Sequence, residues 1–141
     1  NDIQAALGLS QIKRLDEYIK RRQEIAKYYN FELKNLPLTT PWQLPNFYSS
    51  YHLYPVLIEN NLTNKTQKQV YNELLENDIA ANLHYIPVHR HPYYENLGFK
   101  ENDFSIAEDF YRKVISIPIY PALQDKDKAH VVETLKKIFK I

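Results

Sequence analysis

The chain has 141 residues, with 44% hydrophobic, 13% aromatic and 25% charged side chains, and its length fits one folded domain. It contains no Cys, no Met and only two Gly, where a usage of about 7% would give roughly ten; disulfides, thiolate metal sites, Cys nucleophiles and a glycine-rich phosphate loop are excluded. Eighteen Lys plus Arg against seventeen Asp plus Glu leave a formal charge of +1, which gives no long-range pull toward nucleic acid or a membrane surface.

In chain order, Asn1 to Gln4 reads as a capping box that opens a helix, an N-cap Asn with Gln three residues on. Leu7, Ile12, Leu15, Ile19, Ala26, Tyr29 and Leu33 continue a helical pattern to Pro37, with one break expected near Arg22. Asp16 with Lys20 and Glu17 with Arg21 are acid-before-base pairs four apart. At about 1.5 Å per residue such a helix would span roughly 50 Å, so its first half is expected to pack on something outside a small domain. Ala5, Ala6 and Gly8 make that half small-sided.

Pro37, Pro41 and Pro45 mark a loop. Residues 50–58 are aromatic and β-branched and read as a strand, with Pro55 pointing to an edge or a bulge. A helix is expected over 66–77, a second strand over 79–85 and an irregular loop over 86–96. A short helix at 93–97 would end on Gly98. Asn102 or Asp103 would cap a helix through Ile106, Phe110 and Val114. Residues 115–118 form a third short strand, and Asp125 would cap a last helix through Val131, Leu135, Ile138 and Phe139. The fold class is α+β: a long N-terminal helix over 1–36, then a small domain over 37–141 with a short three-stranded sheet covered by helices.

The richest segment for chemistry is Leu83 to Tyr94, where three histidines, one arginine and three tyrosines occupy twelve positions. His84, His89 and His91 could be metal ligands, but no Asp or Glu lies in the segment, and Pro87 and Pro92 break strand geometry. One His could serve as a general base. The histidines and tyrosines could equally lie half-exposed on a loop with no chemical role. A third reading is a polar-aromatic surface for a sugar, a nucleotide or a partner chain, since Tyr and His offer flat faces and hydrogen-bonding tips. Tyr51 to Tyr54 form a second cluster, in which His52 reads first as a hydrogen-bonded core histidine. The lysines and carboxylates fall on helix surfaces, and no nucleophile stands beside a base.

Taken together, the ordered segments carry a resemblance. Asp2 to Ile12, Arg21-Arg22, Ile25-Ala26 and Tyr28-Tyr29 resemble the start of the C-terminal region of DegT-type nucleotide-sugar aminotransferases. Tyr51 to Pro55 resembles their aromatic-His-Leu-aromatic strand. His84 to His89, with Pro92-Tyr93-Tyr94 and Leu97-Gly98, resembles their His-Tyr-x-Pro loop. Ala107-Glu108 and Ser116 to Tyr120 are similar to their Ala-Glu helix and Ser-Leu-Pro strand. The matches run in order from residue 2 to about 121.

That resemblance implies the small C-terminal domain of a fold-type I, pyridoxal-phosphate-dependent aminotransferase. A lysine Schiff base would hold pyridoxal phosphate, glutamate would supply the amino group, and the C4 ketone of a UDP-linked 6-deoxy sugar would receive it. The cofactor anchors would lie in a large domain preceding residue 1, so no catalytic or cofactor-binding residue is expected here, and this chain alone is expected to be inactive. The sugar-nucleotide side of the cleft would remain, with His84 and Tyr85 foremost, then His52, His89, Arg90 and Tyr94. Arg90 departs from the apolar or polar residue of the family pattern. The parent is expected to be a cytoplasmic homodimer with no nucleic-acid or membrane partner. The alternative is a free-standing carbohydrate- or peptide-binding module that uses loop 84–94. The missing initiator Met and the lack of a signal-like leader fit the first expectation.

Overall fold

The computed structural model describes residues 1–140. Helices α1 (Asp2–Ile12) and α2 (Leu15–Glu32) lead into strand β1 (Leu38–Thr39), strand β2 (Tyr54–Ile58) and helix α3 (Gln67–Glu76). A 3-10 turn (Val88–Arg90), helices α4 (Pro92–Asn96) and α5 (Ser105–Lys113), strand β3 (Val114–Ile117) and helix α6 (Asp125–Phe139) complete the chain. The fold is α+β, with one antiparallel sheet in the order β1-β2-β3.

The capping box at Asn1 forms as expected, Asn1 accepting from the Gln4 backbone N–H and Gln4 reaching back. The long helix does not stay whole. It breaks at Lys13–Arg14, where Arg14 adopts φ −108 and ψ 2, and not near Arg22. Neither Pro nor Gly marks the break, and Arg14 provides no side-chain cap. The two helices meet different surroundings: no residue of α1 is buried, whereas Ile25, Ala26 and Tyr29 of α2 enter the core. Arg21 turns from Glu17 to Asp125, at 2.7 Å, and to the Leu123 carbonyl at 2.9 Å.

The core joins the inner face of α2 to β2, β3, α3 and α6. Tyr29, Tyr54, Ile25, Leu33, Ile58, Leu74, Ile115 and Leu135 are its largest fully buried apolar members. Tyr54, Val56 and Ile58 alternate inward along β2, while all four residues of β3 are buried because both of its faces are covered. The two core tyrosines keep polar tips satisfied: Tyr29 donates to the Pro118 carbonyl at 2.9 Å and Tyr54 to Asn30 Oδ1 at 2.5 Å. Burial pushes both phenols well above their ordinary range.

The sheet departs from expectation at three places. The first strand is Leu38–Thr39, inside the segment read as loop, while residues 50–53 stay outside β2. Residues 79–85 form no strand; Asn82 alone bridges Ser116, through N–H···O contacts of 3.0 and 2.8 Å. Ile79 and Ala81 enter the core there, and the chain then leaves it. Pro55 lies in the central strand, but its partner Ser116 directs its backbone groups to Asn82. Strand β1 ends opposite Leu57, so no strand faces Pro55 on its other side, and the missing N–H leaves no gap in the ladder.

Two caps also differ. Phe104, not Asn102 or Asp103, precedes α5, because the Asp103 carboxylate accepts from the Lys100 backbone N–H in a local turn. Gln124 precedes α6, because Asp125 is already helical and its carboxylate meets Arg21 and Lys128. Gly98 follows α4 at φ +102, the left-handed position where a glycine closes a helix.

Candidate functional site

After Asn82 bridges β3, residues 83–113 run outside the core and return at Val114. This excursion carries most of the candidate residues. His84 is fixed first: its Nε2 lies 2.5 Å from Ser116 Oγ, on the strand that Asn82 has just paired. Tyr85 follows and is 84% exposed, touching His84 edge-on with ring centroids 5.6 Å apart. Pro87 then leads into the 3-10 turn, which brings His89 inward. His89 is buried, its Nε2 3.0 Å from Oε1 of Glu108, and its ring rests against Phe104. Arg90 donates to the second oxygen of Glu108 at 3.4 Å and also pairs with Glu101 at 3.4 Å.

An open cavity of about 390 Å³ lies on the α6 side of the Asn82–Ser116 bridge, with His52, Asp78, Asp127 and His130 at its walls. On the other side a wider cavity of about 800 Å³ opens between His84, Tyr85 and Pro87 and the apolar face of Phe104, Ile106 and Phe110. A neighbouring hollow of about 380 Å³ is walled by Val88, His89, Tyr94, Phe99 and Phe104. The structure therefore brings His84 with Tyr85, and His89 with Tyr94, to adjoining hollows. It does not bring His52 to them.

His52 is exposed and does not occupy the core position read for it. The cause is local. Tyr51 takes φ +45, and Arg22 donates to the carbonyls of Tyr51 and His52 at 3.0 and 2.9 Å, which turns the chain before β2 begins. The three histidines weighed as metal ligands meet three separate partners: Ser116 for His84, Glu108 for His89 and the Ile86 carbonyl for His91. Among the described residues no group of three or more His, Cys, Asp or Glu stands ready for a metal.

Two residues of this region were given no individual role from the sequence. Ser116 is a small polar residue in an apolar strand, and Glu108 reads from the sequence as a single helix-surface carboxylate. Glu108 is completely buried. It is the one buried residue of α5, four residues after the half-exposed Phe104 and three before the half-buried Tyr111.

The cavity is suited to binding. An exposed phenol and a fixed imidazole stand over an apolar floor, which fits a ligand with a flat or ring-shaped body and hydroxyl groups at its edge. No lysine or arginine lines either hollow beside the loop, and the two glycines lie elsewhere, in α1 and after α4. These hollows do not fit the phosphate and aldehyde ends of pyridoxal phosphate.

Comparison with known proteins places these features. The sequence pattern of the DegT/DnrJ/EryC1/StrS aminotransferase family matches residues 1–136. The spore coat polysaccharide biosynthesis protein SpsC of Bacillus subtilis is 39% identical over 142 aligned positions, which take in 99% of this chain and 36% of that protein. The UDP-4-amino-4,6-dideoxy-N-acetyl-beta-L-altrosamine transaminase of Helicobacter pylori is 34% identical, across 99% of this chain and 37% of its own. The solved structure of Helicobacter pylori PseC, an aminotransferase involved in the biosynthesis of pseudoaminic acid, superposes with a TM-score of 0.88 at 33% identity, over 99% of this chain and 38% of PseC. The chain thus spans a little over a third of the length of these relatives.

Proposed function

We propose, from the premise that this chain belongs to the DegT/DnrJ/EryC1/StrS aminotransferase family, that it is the sugar-facing C-terminal part of a nucleotide-sugar transaminase. The observation that carries the reading is the cavity at His84 and Tyr85, polar-aromatic above and apolar below, in a chain matched by that family over residues 1–136. Enzymes of this family work with pyridoxal phosphate. In the proposed enzyme the cofactor is held by residues outside this chain, a reading supported by the lack of lysine and arginine in the two hollows beside the loop, and this chain binds and orients the sugar. The acceptor is the C4 ketone of a UDP-linked 6-deoxy sugar and the donor is glutamate. The His84-Tyr85-Ile86-Pro87-Val88-His89 segment and the similarity to PseC support a substrate of the pseudaminic acid type.

Within this reading Tyr85 presents its phenol and ring to the nucleotide sugar, and His84, braced by Ser116, presents an imidazole edge beside it. Residues 1–36 link to the cofactor-bearing domain. Support for that role comes from α1, which buries nothing here and exposes Ile3, Leu7 and Ile12. A cytoplasmic homodimer is the form proposed for the parent. Among the described residues no helix is long and apolar enough to cross a membrane.

The test uses the intact enzyme and separates its two half-reactions. Tyr85→Phe and His84→Ala are expected to slow amino transfer to the UDP-sugar by about ten- to a hundredfold, the scale of a lost positioning contact, and to change the glutamate half-reaction by less than about twofold. Equal losses in both half-reactions would assign these residues to folding and remove the proposal's support.

A further inference from the structure

We infer that Glu108 is the positioning residue of the sugar-facing loop: its buried carboxylate, acting through His89 and Arg90, sets where His84 and Tyr85 stand. The inference rests on the function proposed above and adds a residue that need not touch the substrate. Between residues 82 and 113 only His89 and Glu108 are buried, and they are bonded to each other. All other side chains of this excursion are exposed or half-exposed, so apolar packing on the loop is confined to partly exposed ring contacts such as His89 on Phe104 and Phe99 on Tyr94. Polar ties hold it in place: the His84–Ser116 contact at its start, the Glu108 cluster at its turn, and between them an exposed contact of 3.2 Å from His91 Nε2 to the Ile86 carbonyl. Tyr85 to Val88 lie between His84 and the Glu108 cluster, and Tyr85 makes only an edge contact with His84.

A buried carboxylate is a costly way to stabilise a helix. Replacing buried ion pairs with apolar side chains often leaves a protein as stable or more so. What the carboxylate supplies here is direction. Its two oxygens face two consecutive residues, His89 and Arg90, and fix both the tilt of the 3-10 turn and the level at which the loop leaves it. On this view His89 and Arg90 anchor the turn, His84 is braced by Ser116, and Tyr85 is the group left free to meet a ligand.

Glu108→Gln keeps the shape and the acceptor for His89 but loses the buried one of Arg90's two ionic partners, leaving the exposed Glu101, while Glu108→Ala also loses the acceptor for His89. In the intact enzyme, Glu108→Gln is expected to raise KM for the UDP-sugar about tenfold, with kcat and the glutamate half-reaction within about threefold, as for a small misplacement of a binding group. Arg90→Ala should act in the same direction, and Glu108→Ala more strongly. Hydrogen exchange of residues 84–91 should quicken about tenfold in Glu108→Gln, while β2 and β3 stay protected. An unchanged KM together with unchanged exchange in Glu108→Gln would overturn the inference, as would proportional loss in both half-reactions. Glu108→Gln and Arg90→Ala carry the test even if Glu108→Ala does not fold. A wild-type enzyme that transfers no amino group to any nucleotide sugar would instead overturn the function proposed above, and the exchange measurement would still decide whether Glu108 fixes the loop.

Discussion

Residues 114–139 return to the core again and again, through Val114, Ile115, Ile117, Leu123, Val131, Val132, Leu135 and Ile138. Residues 82–113, a stretch of similar length, bury only one histidine and one glutamate. The first region is held by non-directional apolar burial, which resists unfolding but does not aim side chains. The second is held by directional polar contacts, which aim side chains but bury little area. The candidate site lies in the second region and is braced on the first through Ser116. A binding loop of this kind gains exposed aromatic groups without dissolving the core beneath it.

The largest expected effect tests the first half of that contrast. Tyr29 is fully buried, packs on Tyr54 with ring centroids 5.1 Å apart, and donates to the Pro118 carbonyl. Tyr29→Ala in the intact protein should cost about 3–5 kcal/mol in urea unfolding, the range for deleting a buried aromatic. Phe104→Ala, which removes a half-exposed ring from His89, should cost about 1 kcal/mol on the same scale. Similar losses for the two variants would mean that the excursion and the core unfold as one body, and the contrast between them would fall.

Much of this arrangement is legible in the sequence where a physical pattern is strong. The capping box at Asn1, the helix over 67–76, the last helix and the Gly98 stop follow from side-chain chemistry that acts within four residues. The central strand and the strand before Pro118 follow from runs of β-branched and aromatic residues. What the sequence hides is set by distant partners. Leu38–Thr39 is too short to announce itself and exists because Leu57 and Ile58 offer an edge. Residues 79–85 look like a strand, but only Ser116 has free backbone groups to meet them. The break at Lys13–Arg14 has no Pro or Gly to signal it. The loop over 84–94 stands out by composition, and its separation into anchors and exposed groups depends on Glu108, nineteen residues beyond His89.

The smallest expected effect compares the two regions' polar ties. Glu108 is buried, whereas Asp125 lies at the start of α6 in open solvent and joins α6 to α2 through Arg21. Hydrogen bonds from Arg21 and then Lys128 hold the Asp125 carboxyl below its ordinary range. A carboxyl whose folded value is depressed adds stability above its unfolded value and loses that contribution as pH falls through the folded one. Asp125→Asn should therefore flatten the acid side of the stability–pH curve slightly and leave the neutral side's slope unchanged. Because the pair is exposed, about 1 M salt should erase most of the difference between variant and wild type, at a screening length near 3 Å. If the difference persists in salt, Asp125 is shielded in the intact protein by something that covers the start of α6, and its tie belongs with that of Glu108 rather than in contrast to it.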